Sequence, residues 1–163
     1  MKALEIVSCT PELQGKFAEI WVPWLRSMTG KEPEPEDLLA VSDPWSFYVQ
    51  GGGAVLFALQ DGQPLGVVAV RNLGGGVYEF CKLVVLERAR GLGVGHELVE
   101  ACIRFAREAG ARLLMLQSFR RLEVALGMYE RMGFVPMRAP PEMLLLARTE
   151  IVMGLPLVAP AKT

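Results

Sequence analysis

"RGLGVGHELVEACIRFARE", residues 90–108, sets glycines at 91, 93 and 95 and then runs without a break into a long amphipathic pattern. Leu98, Cys102, Phe105 and Ala109 fall on one helical face, and Gly110 supplies the stop. The segment just before it, "GGGVYEFCKLVVLE", alternates as a strand, so the stretch reads as strand, glycine-rich turn, helix. In such a turn, bare backbone N–H groups and the positive end of the helix dipole converge on one spot, which suits phosphate. Without Cβ atoms, Gly91, Gly93 and Gly95 allow unusual dihedrals and close approach to a bulky diphosphate. Arg90 and Arg88 add charge to the same mouth.

Two common nucleotide motifs fail on these residues. A P-loop needs Gly-Lys-Ser/Thr at its end, and here Gly95 is followed by His96 and Glu97. A dinucleotide fingerprint fits Gly91 and Gly93 but puts His96 at the third glycine, and the next strand, "RLLMLQS", ends with no acid for a ribose.

Outward from the turn, the rest of the chain follows an α/β order. "KALEIVSC" reads as a first strand, and Thr10-Pro11-Glu12 as the start of a helix that runs to about Met28 with Phe17, Trp21 and Trp24 on a core-facing stripe. A short second helix begins near Pro35 and ends before Pro44. "GGGAVLFALQDGQPLGVVAVRN" gives two strands joined at Asp61-Gly62, a dipeptide that makes tight hairpins. In the third strand, strict alternation puts Val77, Glu79, Cys81, Leu83 and Val85 on one face, and Tyr78, Phe80, Lys82 and Val84 on the other. After the glycine turn and its helix come the buried strand "ARLLMLQS", a helix in "RRLEVALGMYERM" closed by Gly133, and final strands in "FVPMR" and "EMLLLARTEIVMGLPL". The expectation is one domain, 1–163, with helices flanking a mixed, mostly antiparallel sheet.

Composition narrows the chemistry. Apolar residues make up 52% and charged residues 21% of 163, a globular balance, and the formal net charge is −1. No global field draws the chain to nucleic acid or anionic lipid, so neither is expected as a partner. Charge is uneven locally: residues 1–61 hold four Lys/Arg against nine Asp/Glu, whereas residues 87–121 hold seven Arg against four Glu. Cys9, Cys81 and Cys102 show no C-x-x-C spacing and sit in apolar runs, as buried thiols in a reducing compartment do. One histidine, His96, leaves little material for a zinc site or a Ser-His-Asp triad, so no metal is expected. Glu5 interrupts any signal-peptide core, and Arg148 and Glu150 interrupt the longest apolar run, so a cytoplasmic protein without a membrane span is expected.

"LVVLERARGLGVGHELVEACIRFARE" resembles the acetyl-CoA signature of the GCN5-related N-acetyltransferase (GNAT) family, whose Arg/Gln-x-x-Gly-x-Gly/Ala pattern is met by Arg90, Gly93 and Gly95. Downstream, "ALGMYERMGFVP" resembles that family's second motif, matched by Met128, Tyr129, Gly133 and Phe134. The resemblance covers most of residues 53–137. It implies a sheet splayed between the fourth and fifth strands and acetyl-CoA as acetyl donor. The backbone at Leu83, Val84 and Val85 would pair with the pantetheine arm. The turn formed by Arg90, Gly91, Leu92, Gly93, Val94, Gly95 and His96 would wrap the pyrophosphate. One departure is that relatives often place an asparagine after the fifth strand, where "SFRRLEV" offers Phe119 and Leu122, leaving that contact to Ser118 or a backbone group.

The resemblance also assigns catalytic parts. Tyr129 matches the family's general acid, to protonate the departing thiolate. A backbone N–H near Leu83 or Val85 would polarise the thioester carbonyl. Glu79, taken to share a face with Leu83 and Val85, is the candidate base for an ammonium acceptor of pKa about 10. The expected reaction is direct attack by a primary amine of a small molecule or peptide in a ternary complex. The acid-rich "GKEPEPEDLL" offers either attraction for a cationic amine or simply the start of a helix. A non-catalytic acyl-CoA-binding or sensing module is the alternative. A sheet edge and an apolar C-terminal strand leave a homodimer open.

Overall fold

The computed structural model of the chain describes residues 3–157. Seven strands form one sheet: β1 Glu5–Ser8, β2 Ala54–Gln60, β3 Gln63–Gly74, β4 Val77–Val85, β5 Leu113–Ser118, β6 Val135–Pro136 and β7 Ile151–Pro156, ordered β1-β2-β3-β4-β5-β7-β6. Every neighbouring pair is antiparallel except β4 with β5. Four helices cover it: α1 Gln14–Thr29, α2 Pro35–Ser42, α3 Val94–Glu108 and α4 Glu123–Arg131. The mixed, mostly antiparallel α/β architecture expected from the sequence is therefore present.

The hairpins follow from their turn residues. Asp61 and Gly62 both take positive φ, 53° and 75°, between the paired Gln60 and Gln63, as a tight two-residue turn demands. Alternation then sorts the apolar side chains to the two faces of the sheet. Val55, Phe57, Val67 and Ala69 pack with Phe17, Trp21 and Leu25 of α1. Leu56, Val68, Val70 and Phe80 pack with Leu98 and Cys102 of α3 on the other face.

Four local expectations are corrected. First, α1 starts at Gln14, not at Thr10-Pro11: the Thr10 carbonyl accepts from both Leu13 and Gln14 N–H at 3.0 Å, closing a separate turn ahead of the helix. Second, a single π-helical turn, Trp45–Val49, follows Pro44 where no element was expected. Third, the C-terminal strand is short. Pro140 and Pro141 lack the N–H groups a ladder needs, and Leu144 O and Leu146 N bond to the Gln117 side chain instead of to a strand.

The fourth correction concerns β4 and matters most. Ala69 pairs with Cys81 and Val67 with Val84, so Val68 alone opposes Lys82 and Leu83. This is a β-bulge, centred on Lys82 at φ 56°, one of two non-glycine residues with positive φ among those described. The extra residue reverses the alternation. Cys81 and Lys82 both lie on the α1 side with Val84, while Leu83 and Val85 turn to the α3 side. Glu79 and Leu83 therefore do not share a face, and Lys82 lies on the Glu79 side rather than opposite it.

β4 pairs with β5 only at Val77, Tyr78 and Glu79. Beyond Glu79 the two strands part, and β5 continues paired to β7 out to Ser118. Residues 80–85 of β4 thus present an open backbone edge into a wedge, the splay expected between the fourth and fifth strands.

Candidate active site

The wedge is the floor of a groove of about 920 Å³. Leu83, Val84 and Val85 form one wall, residues of the glycine turn and the first turn of α3 form the second, and α4 forms the third through Met128 and Tyr129. Gly91 and Gly93 adopt φ 83° and 77°, which a Cβ would strain, so their identity is fixed by the backbone. Gly95 is different. Its φ is ordinary, and a Cβ there would meet Val85 Cγ2 at 3.6 Å and Met128 Cε at 3.8 Å, normal contact distances. No protein neighbour requires glycine at 95, and the bare position looks onto the groove. The first intrahelical bond of α3 runs from Glu97 N to Gly93 O, leaving the preceding amides free to meet an anion. Arg90, Arg121 and Arg131 line the same groove against one acid, Glu123.

A smaller pocket of about 90 Å³ opens on the α1 side of the wedge. Trp24, Leu83, Leu122 and Tyr129 line both spaces and so mark where they meet. Fold and paired cavities can be compared with known proteins. Residues 16–134 match the acetyltransferase (GNAT) family. The chain belongs to the GNAT family.

Solved structures agree on the fold. An acetyltransferase of the GNAT family from Staphylococcus aureus Mu50 superposes with a TM-score of 0.87 at 16% identity, over 96% of this chain and 100% of that one. An acetyltransferase from Streptococcus agalactiae 2603 gives 0.84 at 16% identity, over 96% and 100%. The protein yncA from Salmonella typhimurium, solved with its cofactor acetyl-CoA, gives 0.74 at 16% identity, over 99% and 98%. No curated protein matches the chain in sequence.

GNAT acetyltransferases use acetyl-CoA, and the residues of this GNAT chain fit that donor: a groove flanked by an open strand edge, free helix-start amides, three arginines and an unfilled position at Gly95. Of the residues expected to contact it, Leu83, Val84, Val85, Arg90, Gly91, Gly93, Val94, Gly95 and His96 all line the groove. Leu92 does not; its side chain is 60% exposed at the outside of the turn. Arg88 turns away to the Pro64 carbonyl, and Arg120 is engaged by Glu150, whereas Arg121 reaches the groove while donating to Met28 O at 2.8 Å. His96 lies 3.7 Å from Glu100 one turn along α3.

Tyr129 is buried at the junction, packed edge-on against Phe80 and Phe134. Among the described residues its hydroxyl has no hydrogen-bond partner. Burial pushes its pKa well up, so the phenol holds its proton at neutral pH.

Glu79 is buried in the smaller pocket. Burial raises its pKa, and a 2.9 Å hydrogen bond from Gln117 Nε2 together with the charges of Arg71 and Lys82 draws it partway back. Cys81 lines the same pocket, and burial pushes its thiol up to about 11, so it is protonated at neutral pH.

Two residues missed in the sequence, Lys82 and Arg148, complete this wall, both held by Asp37. Lys82 Nζ donates to Asp37 Oδ1 at 2.7 Å, and Arg148 Nη1 and Nη2 donate to Asp37 at 3.1 and 3.3 Å. Both cations lie over the Trp21 ring, 4.4 and 5.8 Å from its centroid. Burial pushes the Asp37 carboxyl upward, but the hydrogen bonds and charges of Arg148 and Lys82 outweigh it and hold the pKa below the usual range. Asp37 belongs to the acid-rich stretch considered as a lure for cationic amines, yet it is buried and committed to these two partners. The signal available in the sequence was Arg148 itself, a charge inside an otherwise apolar run.

Proposed function

We propose that the chain is an acetyl-CoA-dependent N-acetyltransferase that moves the acetyl group directly to a primary amine, with the donor in the large groove and the acceptor in the small pocket. The observation that carries this reading is the position of Tyr129, whose unpartnered hydroxyl group belongs to a side chain lining both spaces. The thioester carbonyl and the amine nitrogen have to meet where the two spaces join.

In the reaction the nitrogen forms a bond to the carbonyl carbon, the carbon–sulfur bond breaks, and the sulfur leaves with the bond's electron pair. The incoming ammonium first gives a proton to Glu79, directly or through a water; a carboxylate of raised pKa is the stronger base for that step. Tyr129 supplies a proton to the sulfur, and the second proton that the nitrogen sheds as the amide forms passes back to the phenolate, so that Tyr129 ends as it began. A raised phenol pKa alone makes the transfer to sulfur uphill, but the thiolate would form in the same poorly solvated junction, which raises the sulfur's proton affinity too. The backbone edge of β4 beyond Glu79, open because β5 has parted from it, supplies N–H groups on the donor side. A covalent route through Cys81 is disfavoured, since a thiol of pKa about 11 offers little thiolate at neutral pH.

The test is thiol release from acetyl-CoA across a panel of primary amines, with wild type and Tyr129→Phe compared. Turnover on at least one amine, with kcat reduced about 10²-fold in the variant, is expected. CoA binding with no turnover on any amine would assign the chain to acyl-CoA binding or sensing without catalysis.

A further inference from the structure

The small pocket is built for an acceptor of mixed charge. Its charged lining is Glu79, Lys82 and Arg148, one acid against two cations. Asp37 holds both cations from behind but does not itself line the pocket. One carboxylate behind two cations leaves one positive charge for the pocket, balanced only when Glu79 is ionised. Glu79 gives up that balance whenever it takes a proton. Donors are also left over. Arg148 uses two N–H groups on Asp37 out of a guanidinium's five, and Lys82 uses one of three. Arg148 is the outer of the pair, its side chain 27% exposed against 9% for Lys82, so its remaining donors are the more accessible. Trp21 beneath and Asp37 behind fix both heads in place, so little ordering is left to be done when an anion arrives.

From this we infer that the acceptor is a primary amine that also carries a carboxylate, received by Arg148 and Lys82, so that its amine is turned toward Glu79 and the Tyr129 junction. The inference rests on the acetyltransferase reading and narrows its acceptor. A simple monoamine or polyamine brings only positive charge and meets two fixed cations on entry. A zwitterion meets opposite charge at both ends, and when Glu79 takes the ammonium proton the carboxylate still offsets the surplus positive charge. The aromatic and aliphatic lining, Trp21, Trp24, Phe119 and Leu122, leaves the rest of the acceptor in apolar surroundings.

Matched pairs that differ only in the carboxylate test the inference: L-phenylalanine with phenethylamine, L-tyrosine with tyramine, L-arginine with agmatine, and L-methionine with 3-(methylthio)propylamine. Thiol release gives kcat/KM for each, and calorimetry on the CoA-saturated protein gives affinity without requiring turnover. The carboxylated member of at least one pair is expected to be favoured tenfold or more, chiefly through KM, with the same order in the calorimetry. In Arg148→Gln that ratio is expected to fall toward unity. Should Arg148→Gln fail to fold, the wild-type ratios decide alone. Equal ratios, or preference for the decarboxylated member throughout, would overturn the inference. If no amine turns over, the acetyltransferase reading fails, and the calorimetry separates the two ideas: tighter binding of the carboxylated members keeps the anion site, and no difference removes it.

Discussion

Gln117 donates from Nε2 to Oε2 of Glu79 at 2.9 Å, across the gap that opens where β4 and β5 stop pairing. The same nitrogen donates to Leu144 O at 2.9 Å, and the Gln117 oxygen accepts from Leu146 N and from the Thr149 hydroxyl. One amide therefore fixes the orientation of Glu79 and also ties the irregular segment carrying Arg148 to the sheet. The candidate base and the segment that carries Arg148 are coupled through this one side chain.

Gln117→Met keeps the volume and removes the amide. The lost hydrogen bond is one that favours ionised Glu79, so the carboxyl pKa rises further. The acid limb of the kcat/KM–pH profile is expected to move to higher pH, with kcat on the plateau lowered less than the value at pH 6. Four polar groups lose their partner at once, so stability is expected to drop by about 2–4 kcal/mol in urea denaturation. An unmoved acid limb would mean that Glu79 is not the base.

Glu79→Gln separates function from stability. Glu79 has a folded-state pKa raised by burial, so its contribution is fully present below the unfolded pKa and is lost as pH rises through the folded value. Above that value the wild type bears a buried, costly charge that the variant lacks. The variant is expected to be the more stable of the two at pH 8 while its kcat/KM falls about 10²-fold, measured by thermal melting and thiol release. Equal activity would remove Glu79 from the mechanism.

How far the sequence foretells this site depends on the range of the interaction. The turn at Gly91 and Gly93 and the Asp61-Gly62 hairpin are local, and each forms where its residues predict, while the α3 stripe holds at Leu98 and Cys102 but not at Ala109, which is exposed just past the helix end. The bulge at Lys82 has no local signature, because a lysine at φ 56° is not marked by composition and strict alternation assigns it to the wrong face. That one residue moves Leu83 and Val85 to the donor groove and brings Lys82 beside Glu79. The Asp37–Lys82–Arg148 cluster joins residues 45 and 111 positions apart, beyond the reach of any periodicity. Gln117 carries no signal of its own inside the buried strand "ARLLMLQS", and its role exists only because the segment after Pro141 returns to meet it.

Asp37→Asn should expose the cost of that cluster. It removes the negative charge but leaves Lys82, with a side chain only 9% exposed, and Arg148 facing each other. A loss of about 3–5 kcal/mol at pH 7 is expected, as for breaking a buried pair from one side. Asp37 has a lowered folded-state pKa, so its contribution is present above the unfolded pKa, about 3.9, and is lost as pH falls through the folded value. Wild type and variant should therefore differ by a constant amount above about pH 4 and converge as pH falls from there through the folded value. Urea titrations between pH 2 and 8 would show this, and a gap independent of pH would contradict it.

Gly95→Ala tests the donor groove with little risk to the fold. Gly91 and Gly93 could not serve, because positive φ makes any side chain there strain the backbone whatever the groove holds. At 95 the backbone is helical, and the added methyl meets only Val85 and Met128 at ordinary distances. Alanine improves helix propensity by up to about 1 kcal/mol, so the melting temperature is expected to hold or rise. The methyl nevertheless enters the space beside the free amides of the α3 start, where a pyrophosphate would have to approach the backbone closely. CoA affinity by calorimetry is expected to fall about tenfold or more, equivalent to about 1.4 kcal/mol. Gly15→Ala is the matched control: it too is helical, with nothing within 4 Å of the added carbon, and it lies outside the groove. The control should match or exceed wild-type stability with unchanged CoA affinity. If both variants bind CoA as wild type does, the diphosphate does not sit at the α3 start, and the groove must hold its ligand in another orientation.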